Sequence, residues 1–273
     1  MNYAPGILDY LAQSPDFTEV LLAPGATPLQ RAPDGMKSIG DTVLNNQDVR
    51  DTLTTLMAHA TGVNASGKHG VFSFGMAQRG RFRVTFMTQR GSLVASIIKI
   101  PGEVPRVDQL VAADQAADVE KKFLTFRSGL LLVAGPSSML TNVFVYALLR
   151  SMSEQAQRVI FILEAGITFL LRHGRSLVLQ SELGSDVDSI EEGLRAALTL
   201  EPQVIYIRDL ANARDLGLLA KAVETQVFAV ATVSVLDAKV LLPVGREQLN
   251  LQNLRGIWNV DHAEDGRLRV LME

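Results

Sequence analysis

Short runs of apolar residues, each long enough for one strand, recur through the second half of the chain. They occupy residues 130–134, 159–163, 204–207 and 227–233. A strand that is apolar at nearly every position has no face to offer water, so such strands belong to a parallel sheet with a layer on each side. The segments between them, 139–152, 190–200 and 213–224, have the length and periodicity of helices. This alternation predicts an α/β domain at residues 129–273 with a mostly parallel sheet.

Residues 1–100 carry a different pattern and predict a small α+β domain. Helical spacing occurs near residues 7–11 and 46–59, and extended pieces lie near 19–22 and 28–31. Further extended runs, separated by glycine-containing turns, predict an antiparallel meander at 71–74, 81–87 and 92–100. Two prolines and a glycine at 101–105 disfavour both helix and sheet, so a linker with a short helix is expected at 101–128.

Composition excludes several classes of function. Without any cysteine, the chain forms neither disulfides nor thiolate metal sites, and the reducing cytosol is the expected compartment. A net charge of −3 gives no general attraction for nucleic acid. The most apolar stretch, 159–171, contains Glu164 and is shorter than the roughly 20 residues that cross a bilayer, and the start of the sequence lacks the pattern of a signal peptide. We therefore expect a cytoplasmic protein that neither binds nucleic acid nor inserts into a membrane.

Collinear motifs in both predicted domains resemble those of the secretion ATPase superfamily, with the PilT-like pilus-retraction motors as the nearest branch. The matching segments are 22–28, 72–74, 80–84, 89–91 and 100–101 in the first domain, and 180–184, 194–198 and 201–205 in the second. The resemblance covers roughly residues 15–235. It implies a PAS-like first domain, a RecA-like P-loop-type second domain and a shortened C-terminal region.

The phosphate-binding loop that the resemblance implies has lost the residues that bind nucleotide. A working loop, G-x-x-x-x-G-K-[ST], needs glycines that aim amides at phosphate, a lysine for charge and a hydroxyl for magnesium. The opening Gly135-Pro136 remains, and Ser138 lies inside the loop. The replaced positions are Leu140 for the second glycine, Thr141 for the lysine and Asn142 for the hydroxyl. These changes predict that neither ATP nor magnesium is bound, while the helical spacing of 139–148 also suits a plain core helix.

The other catalytic boxes of the superfamily are reduced in the same way. In the acidic box Glu164 is kept, but the further acids are missing. Asp209 stands at the Walker B glutamate, after Arg208 where glycine is usual, and Ser234 replaces the histidine of the histidine box. Two interpretations of Glu164 and Asp209 are open: a residual metal pair, or carboxylates solvated at strand ends. The histidines show no ligand spacing, and no metal site is predicted.

Three arginines of the first domain, Arg81, Arg83 and Arg90, stand where the superfamily supplies charge to the nucleotide of a neighbouring subunit. A guanidinium fork reaches phosphate across an interface in such arrangements. The resemblance therefore implies that this chain donates arginines to an active neighbour while its own site stays empty. The alternation of arginine with apolar residues along 81–86 equally suits a solvated basic face of a sheet.

The preserved frame and the reduced boxes together predict a catalytically inactive protein without a cofactor. We expect a regulator or scaffold that binds proteins in a type IV pilus or related secretion or motility system. The expected partners are an active pilus ATPase or a component of the pilus platform, and a homo-oligomer is left open. One alternative is a nucleotide sensor or weak ATPase whose unusual loop binds phosphate through backbone amides. Another is a structural protein that assembles with itself.

The end of the sequence is expected to be trimmed relative to typical superfamily members. Short helices are predicted from Ala238-Lys239 to residue 254, followed by a hairpin-like segment at 265–271. Because the missing helices serve contacts between subunits in the motors, the resemblance leaves hexamer formation in doubt.

Overall fold

The computed structural model describes residues 1–32, 35–60, 68–210, 212–233, 253–263 and 266–273. The chain divides into two compact units, of which unit 1 comprises residues 1–103 and 166–168, and unit 2 comprises residues 104–165 and 169–273. Most of the segment predicted as a linker therefore belongs to unit 2. Among the described residues, no helix combines the length and the apolar character needed to cross a membrane.

The described residues of unit 1 form a six-stranded antiparallel sheet and two helices. Its strands are β1 (Glu19–Leu22), β2 (Leu29–Ala32), β3 (Gly35–Ser38), β4 (His69–Met76), β5 (Gly80–Gln89) and β6 (Ser92–Ile100). The sheet order is β3-β2-β1-β6-β5-β4, and the helices are α1 (Ala4–Gln13) and α2 (Asn46–Met57). The pairing of β4 with β5 and of β5 with β6 confirms the predicted meander.

Side chains from both helices and from the sheet form the core of unit 1. In β5, Phe82, Val84 and Phe86 lie in this core at every second position, as the pleat of a strand requires. The residue before α2 is its N-cap, Asn45, whose side chain accepts hydrogen bonds from the backbone of the first turn, while Asp48 accepts one from the N–H of Asn45. This capping box fixes where the helix starts.

Unit 2 contains a seven-stranded sheet. Its strands are β7 (Gly129–Ala134), β8 (Val159–Glu164), β9 (Leu177–Glu182), β10 (Val204–Ile207), β11 (Phe228–Val233), β12 (Leu254–His262) and β13 (Leu268–Met272). The order is β13-β12-β7-β11-β10-β8-β9. All neighbouring strands are parallel except β12 and β13. The α/β class is confirmed, with one antiparallel strand at the edge of an otherwise parallel sheet.

In the described part of unit 2 the helices are α3 (Val107–Leu110), α4 (Ala116–Thr125), α5 (Ser138–Gln155), α6 (Ile190–Leu198) and α7 (Ala213–Val223). The strands β7, β10 and β11 are buried along their whole length, and much of α5 is buried with them. Because parallel strands end at the same edge of a sheet, the ends of β7, β8, β10 and β11, and the described residues that follow the first three, are brought together there.

Two parts of the sheet of unit 2 differ from the sequence prediction. The edge strand β9 was not predicted, since Val178 is its only fully buried residue and the apolar run that marks the inner strands is absent. The predicted terminal hairpin is larger than expected, because β13 pairs with the whole second half of β12. The short helices predicted from Ala238-Lys239 lie outside the described residues.

Candidate functional site

The loop between β7 and α5 lies at the predicted phosphate-binding position, and hydrogen bonds between its residues and the start of α5 close it. The hydroxyl of Ser137 accepts a hydrogen bond from the backbone N–H of Leu140 at 3.3 Å. The hydroxyl of Thr141 donates to the carbonyl oxygen of Ser137 at 2.8 Å. An amide that could point at an anion at this helix end is thus used to cap the helix.

The retained glycine of this loop has a packing role. A Cβ atom at Gly135 would lie 2.7 Å from Oγ1 of Thr141 and 2.8 Å from the carbonyl oxygen of Val260. The loop therefore passes too close to α5 and to β12 for any side chain. Pro136, which follows, is exposed. This close packing explains why a glycine is required at this position, whether or not the loop binds phosphate.

Asn142 and Tyr206 form a buried pair next to the loop. Both residues are 0% exposed, and the phenol of Tyr206 donates to Oδ1 of Asn142 at 2.5 Å. The same phenol oxygen lies 3.4 Å from Oγ1 of Thr232. Burial, followed by the charge of Glu164, raises the pKa of Tyr206 well above its ordinary value, so the phenol stays a neutral donor. Asn142, at the position of the magnesium hydroxyl, joins α5 to β10.

Glu164 lies at the end of β8 and is completely buried, so the interpretation as a solvated carboxylate is wrong for this residue. The phenol of Tyr146 donates to Oε1 of Glu164, and Nε2 of Gln180 donates to the phenol oxygen at 3.2 Å. Burial and then the charge of Glu164 raise the pKa of Tyr146 well above its ordinary value. Two polar groups, the amide of Gln180 and the phenol of Tyr146, therefore lead from β9 to the carboxylate.

Arg208 lies between the two acidic residues of the site. Its Nη1 is 3.5 Å from Oε2 of Glu164, and its Nε is 3.0 Å from Oδ2 of Asp209. Its Nη2 donates to the hydroxyl of Ser138 at 3.2 Å. Burial lowers the pKa of Arg208, but the charges of Glu164 and Asp209 oppose it, and the pKa is raised overall. A permanent positive charge thus sits in the region where a nucleotide site would hold its cations.

Asp209 reaches the loop through an unusual backbone conformation. Its φ of 53° lies in the left-handed region, and its N–H donates to Oγ1 of Thr232 at 2.9 Å. The hydroxyl of Ser138 lies 2.8 and 2.9 Å from the two carboxylate oxygens of Asp209. Strain of this kind costs about 1–3 kcal/mol and persists where surrounding bonds hold it. One polar network thus includes residues after β7 and β10 and residues at the ends of β8 and β11.

The three arginines considered as donors to a neighbouring subunit are placed differently from one another within unit 1. The side chain of Arg81 donates to the carbonyl oxygens of Ile167 and Thr168 at 2.9 and 2.6 Å. Arg83 is buried and donates to the carbonyl oxygen of Gly166, so a solvated basic face is wrong for this residue. Arg90 is exposed in the turn between β5 and β6 with a φ of 49°. Action on a neighbour stays a prediction, and Arg90 is the most accessible of the three.

The sequence analysis missed the neutral members of the network, Tyr146, Gln180 and Tyr206. Two of them carry a signal: each tyrosine interrupts an otherwise aliphatic strand or buried helix stretch, where a hydroxyl needs a partner. Ser234 lies outside the described residues. In the part of the chain that the structure describes, no three histidine, aspartate or glutamate side chains are grouped so that they could hold a metal ion.

The sequence is similar to proteins of pilus motility. It is 27% identical to the twitching motility protein of Neisseria gonorrhoeae over 201 residues, which are 73% of this chain and 52% of that protein. It is 28% identical to the type IV pilus retraction ATPase PilT of Pseudomonas aeruginosa over 154 residues, 56% of this chain and 44% of the relative. The uncharacterized protein YggR of Escherichia coli is 28% identical over 162 residues, 59% of this chain and 48% of YggR. The matches span about half the length of these curated relatives. No protein-family model matches the chain.

Solved structures share the fold. The pilus retraction motor PilT with bound ADP superimposes with a TM-score of 0.75 at 21% identity, covering 100% of this chain and 82% of that one. The ATPase DotB of Legionella pneumophila gives a TM-score of 0.71 at 16% identity, covering 100% and 81%. The expected PilT-like fold is confirmed by these likenesses.

Proposed function

We propose that this chain is a PilT-like member of the secretion ATPase superfamily that does not hydrolyse ATP and acts by binding partner proteins. The relatives named for pilus retraction and twitching motility favour a role in a type IV pilus or a related secretion or motility system. In this proposal the chain regulates or supports an active ATPase, or a component of the pilus platform.

The closed loop before α5 is the observation that carries the proposal. A P-loop binds phosphate with free backbone amides and a lysine. Here Thr141 stands at the lysine and bonds to the backbone of Ser137, and Ser137 in turn caps the N–H of Leu140. A nucleotide would have to open this helix cap, and no lysine would compensate for the lost bonds.

The charges around the loop do not fit magnesium and a nucleotide either. A magnesium ion is held through carboxylates and by oxygens of the substrate phosphates. Both acidic side chains of the site, Glu164 and Asp209, already face the guanidinium of Arg208. Asn142, at the position of the magnesium hydroxyl, is 0% exposed and bonded to Tyr206. An incoming Mg–ATP would therefore compete with an internal cation.

A binding role follows from what is retained. The chain keeps the PilT-like fold while it lacks the P-loop lysine, and a subunit of the right shape can contact partners without turning over ATP. The kind of partner is inferred from the superfamily resemblance, and experiment identifies the partner itself.

A phosphate-release assay with Mg–ATP tests inactivity directly. We expect the purified protein to release no phosphate above the level of an Asp209→Asn variant, which serves as the matched control for contaminating ATPases. Turnover that falls in that variant would refute the proposal. Phosphate release by a PilT-like ATPase of the same organism, measured with and without the chain, tests the regulatory role, and an unchanged rate together with no detectable complex would refute it.

A nucleotide sensor is the second candidate, because helix N-termini bind anions through amides alone. A ligand that binds the native state raises stability by RT ln(1 + [L]/Kd), about 2.7 kcal/mol at a hundredfold excess over Kd. We expect no thermal shift with millimolar ATP or ADP. A shift without turnover would establish the sensor in place of the nucleotide-free protein that we propose.

A further inference from the structure

The guanidinium of Arg208 lies where Glu164 at the end of β8, Asp209 after β10 and the hydroxyl of Ser138 at the start of α5 meet. We propose that Glu164, Asp209 and Ser138 form a cation site whose resident ligand is this side chain of the same protein. The folded state of unit 2 then has a built-in cation and needs no metal ion or nucleotide to balance its buried acid.

Burial makes the positive charge necessary. Glu164 is 0% exposed, and an ionised carboxylate without a partner at such a place is strongly unfavourable. The phenol of Tyr146 supplies one hydrogen bond to this carboxylate but no charge. Arg208, itself only 6% exposed, brings the opposite charge to Oε2 at 3.5 Å. Removing either residue would take away the opposite charge beside the other, and a buried charge that loses such a partner is strongly destabilising.

The planar fork of an arginine suits this site, because its nitrogens face three different partners. Nη1 faces Glu164 at 3.5 Å, Nε faces Asp209 at 3.0 Å, and Nη2 donates to Ser138 at 3.2 Å. Arginine is favoured over lysine where several acceptors lie around one plane. The cation is therefore held by residues at or just beyond the ends of three strands rather than by one ion pair.

The position of Arg208 in the chain suggests how to empty the site. It follows β10 directly, where the superfamily resemblance expects glycine, which has no side chain to fill this space. The variant Arg208→Gly removes the internal cation and leaves its surroundings in place. Arg208→Met removes the charge but keeps most of the volume, which makes it the matched control.

The proposal rests on the proposed function in one respect only, since both take Arg208 to compete with Mg–ATP. Its test measures stability and cation binding in variants, with no nucleotide present. Turnover by the wild-type protein would therefore refute the proposed function alone, and absence of cation binding in Arg208→Gly would refute this inference alone.

The first experiment measures rescue of Arg208→Gly by guanidinium chloride or magnesium chloride. Trp258 is the only tryptophan of the chain, is buried and lies in unit 2, so its fluorescence reports the melting of this unit. We expect the variant to melt roughly 10 °C below wild type, as for a buried ion pair that loses one member. About 20 mM guanidinium, too dilute to denature appreciably, should restore roughly 4–7 °C if its Kd is near 1 mM.

The control variant separates a site from a general salt effect. Arg208→Met should melt low as well but show no rise with either cation, because methionine fills the space. A rise with guanidinium or magnesium in the glycine variant alone supports the cation site. An equal response of both variants, or none in either, overturns it.

A second measurement decides the question if Arg208→Gly does not fold. In Arg208→Met the acid of Glu164 is left without its cation, so adding Glu164→Gln should raise the melting temperature again, or restore soluble protein. A double variant at least 5 °C more stable than Arg208→Met is the expected result, on the order of a coupled buried pair. If the double variant is no more stable than Arg208→Met, the role assigned to the guanidinium is wrong.

Discussion

The buried pair of Asn142 and Tyr206 allows a quantitative test of the network beside the loop. In Asn142→Ala, the phenol of Tyr206 loses the acceptor that lies 2.5 Å away. The next oxygen, on Thr232, is 3.4 Å from the phenol, beyond the usual range for a hydroxyl donor. Leaving a buried hydroxyl without a good acceptor costs about 1–3 kcal/mol, and the shortened side chain adds a small cavity. We expect the free energy of unfolding to fall by about 2 kcal/mol.

Urea unfolding followed by the fluorescence of Trp258 measures this loss in unit 2. With an m value near 2 kcal/mol/M, the midpoint should fall by about 1 M while m stays unchanged. In the background of Asn142→Ala, Tyr206→Phe removes the stranded hydroxyl and should return part of the stability. A midpoint within about 0.2 M of wild type for Asn142→Ala would refute the structural role of this asparagine.

Three further changes have defined outcomes. Arg83→Ala should destabilise unit 1 by about 2 kcal/mol, because the buried hydrogen bonds of this side chain are lost. Arg90 is exposed, so Arg90→Ala should change the stability of unit 1 by less than about 0.5 kcal/mol. Hydrogen exchange of the β5 amides measures both changes. The pKa of Asp48 is lowered first by the hydrogen bond from the backbone N–H of Asn45 and then by the ammonium group of Met1. The stability that this carboxylate provides is therefore complete above its ordinary pKa and is lost as the pH falls through the lowered value. Acid unfolding of Asp48→Asn should lack this pH-dependent loss of stability. Gly129→Ala would place a Cβ 2.5 Å from a backbone oxygen at a φ of 98° and should melt well below Gly25→Ala, where the φ is 83° but the space is open.

Much of unit 2 could be predicted because its inner strands leave a plain trace in the sequence. The strands β7, β10 and β11 are buried at every position, and only apolar residues suit such strands. The edge strand β9 has water on one side and neighbours on the other, so its pattern is mixed. An edge strand is therefore recognised from its pairing, which a single sequence does not contain.

Several positions of the candidate site were singled out in the sequence, but the bonds among them were not. The reduced loop, Glu164 and Asp209 were singled out from the superfamily pattern, while Arg208 was noted only as a substitution for glycine. Its partners depend on β8 lying beside β10, a pairing fixed by the sheet order. A rule was nevertheless available: charged residues that follow neighbouring parallel strands meet at one edge, and opposite charges there should pair.

Packing alone does not explain the polar side chains of this region. A packing role alone would be served as well by apolar side chains, since replacing a buried ion pair with well-packed apolar groups is often neutral or stabilising. This chain instead retains Glu164, an acid with 0% exposure, and balances it with Arg208 and a tyrosine hydroxyl. Such a network stabilises one arrangement of α5 against β8 and β10 by direction as well as by contact, because each donor must face its acceptor. If the proposed function holds, the loop before α5 keeps the closed form that these bonds define, and a partner protein meets the same surface with and without ATP.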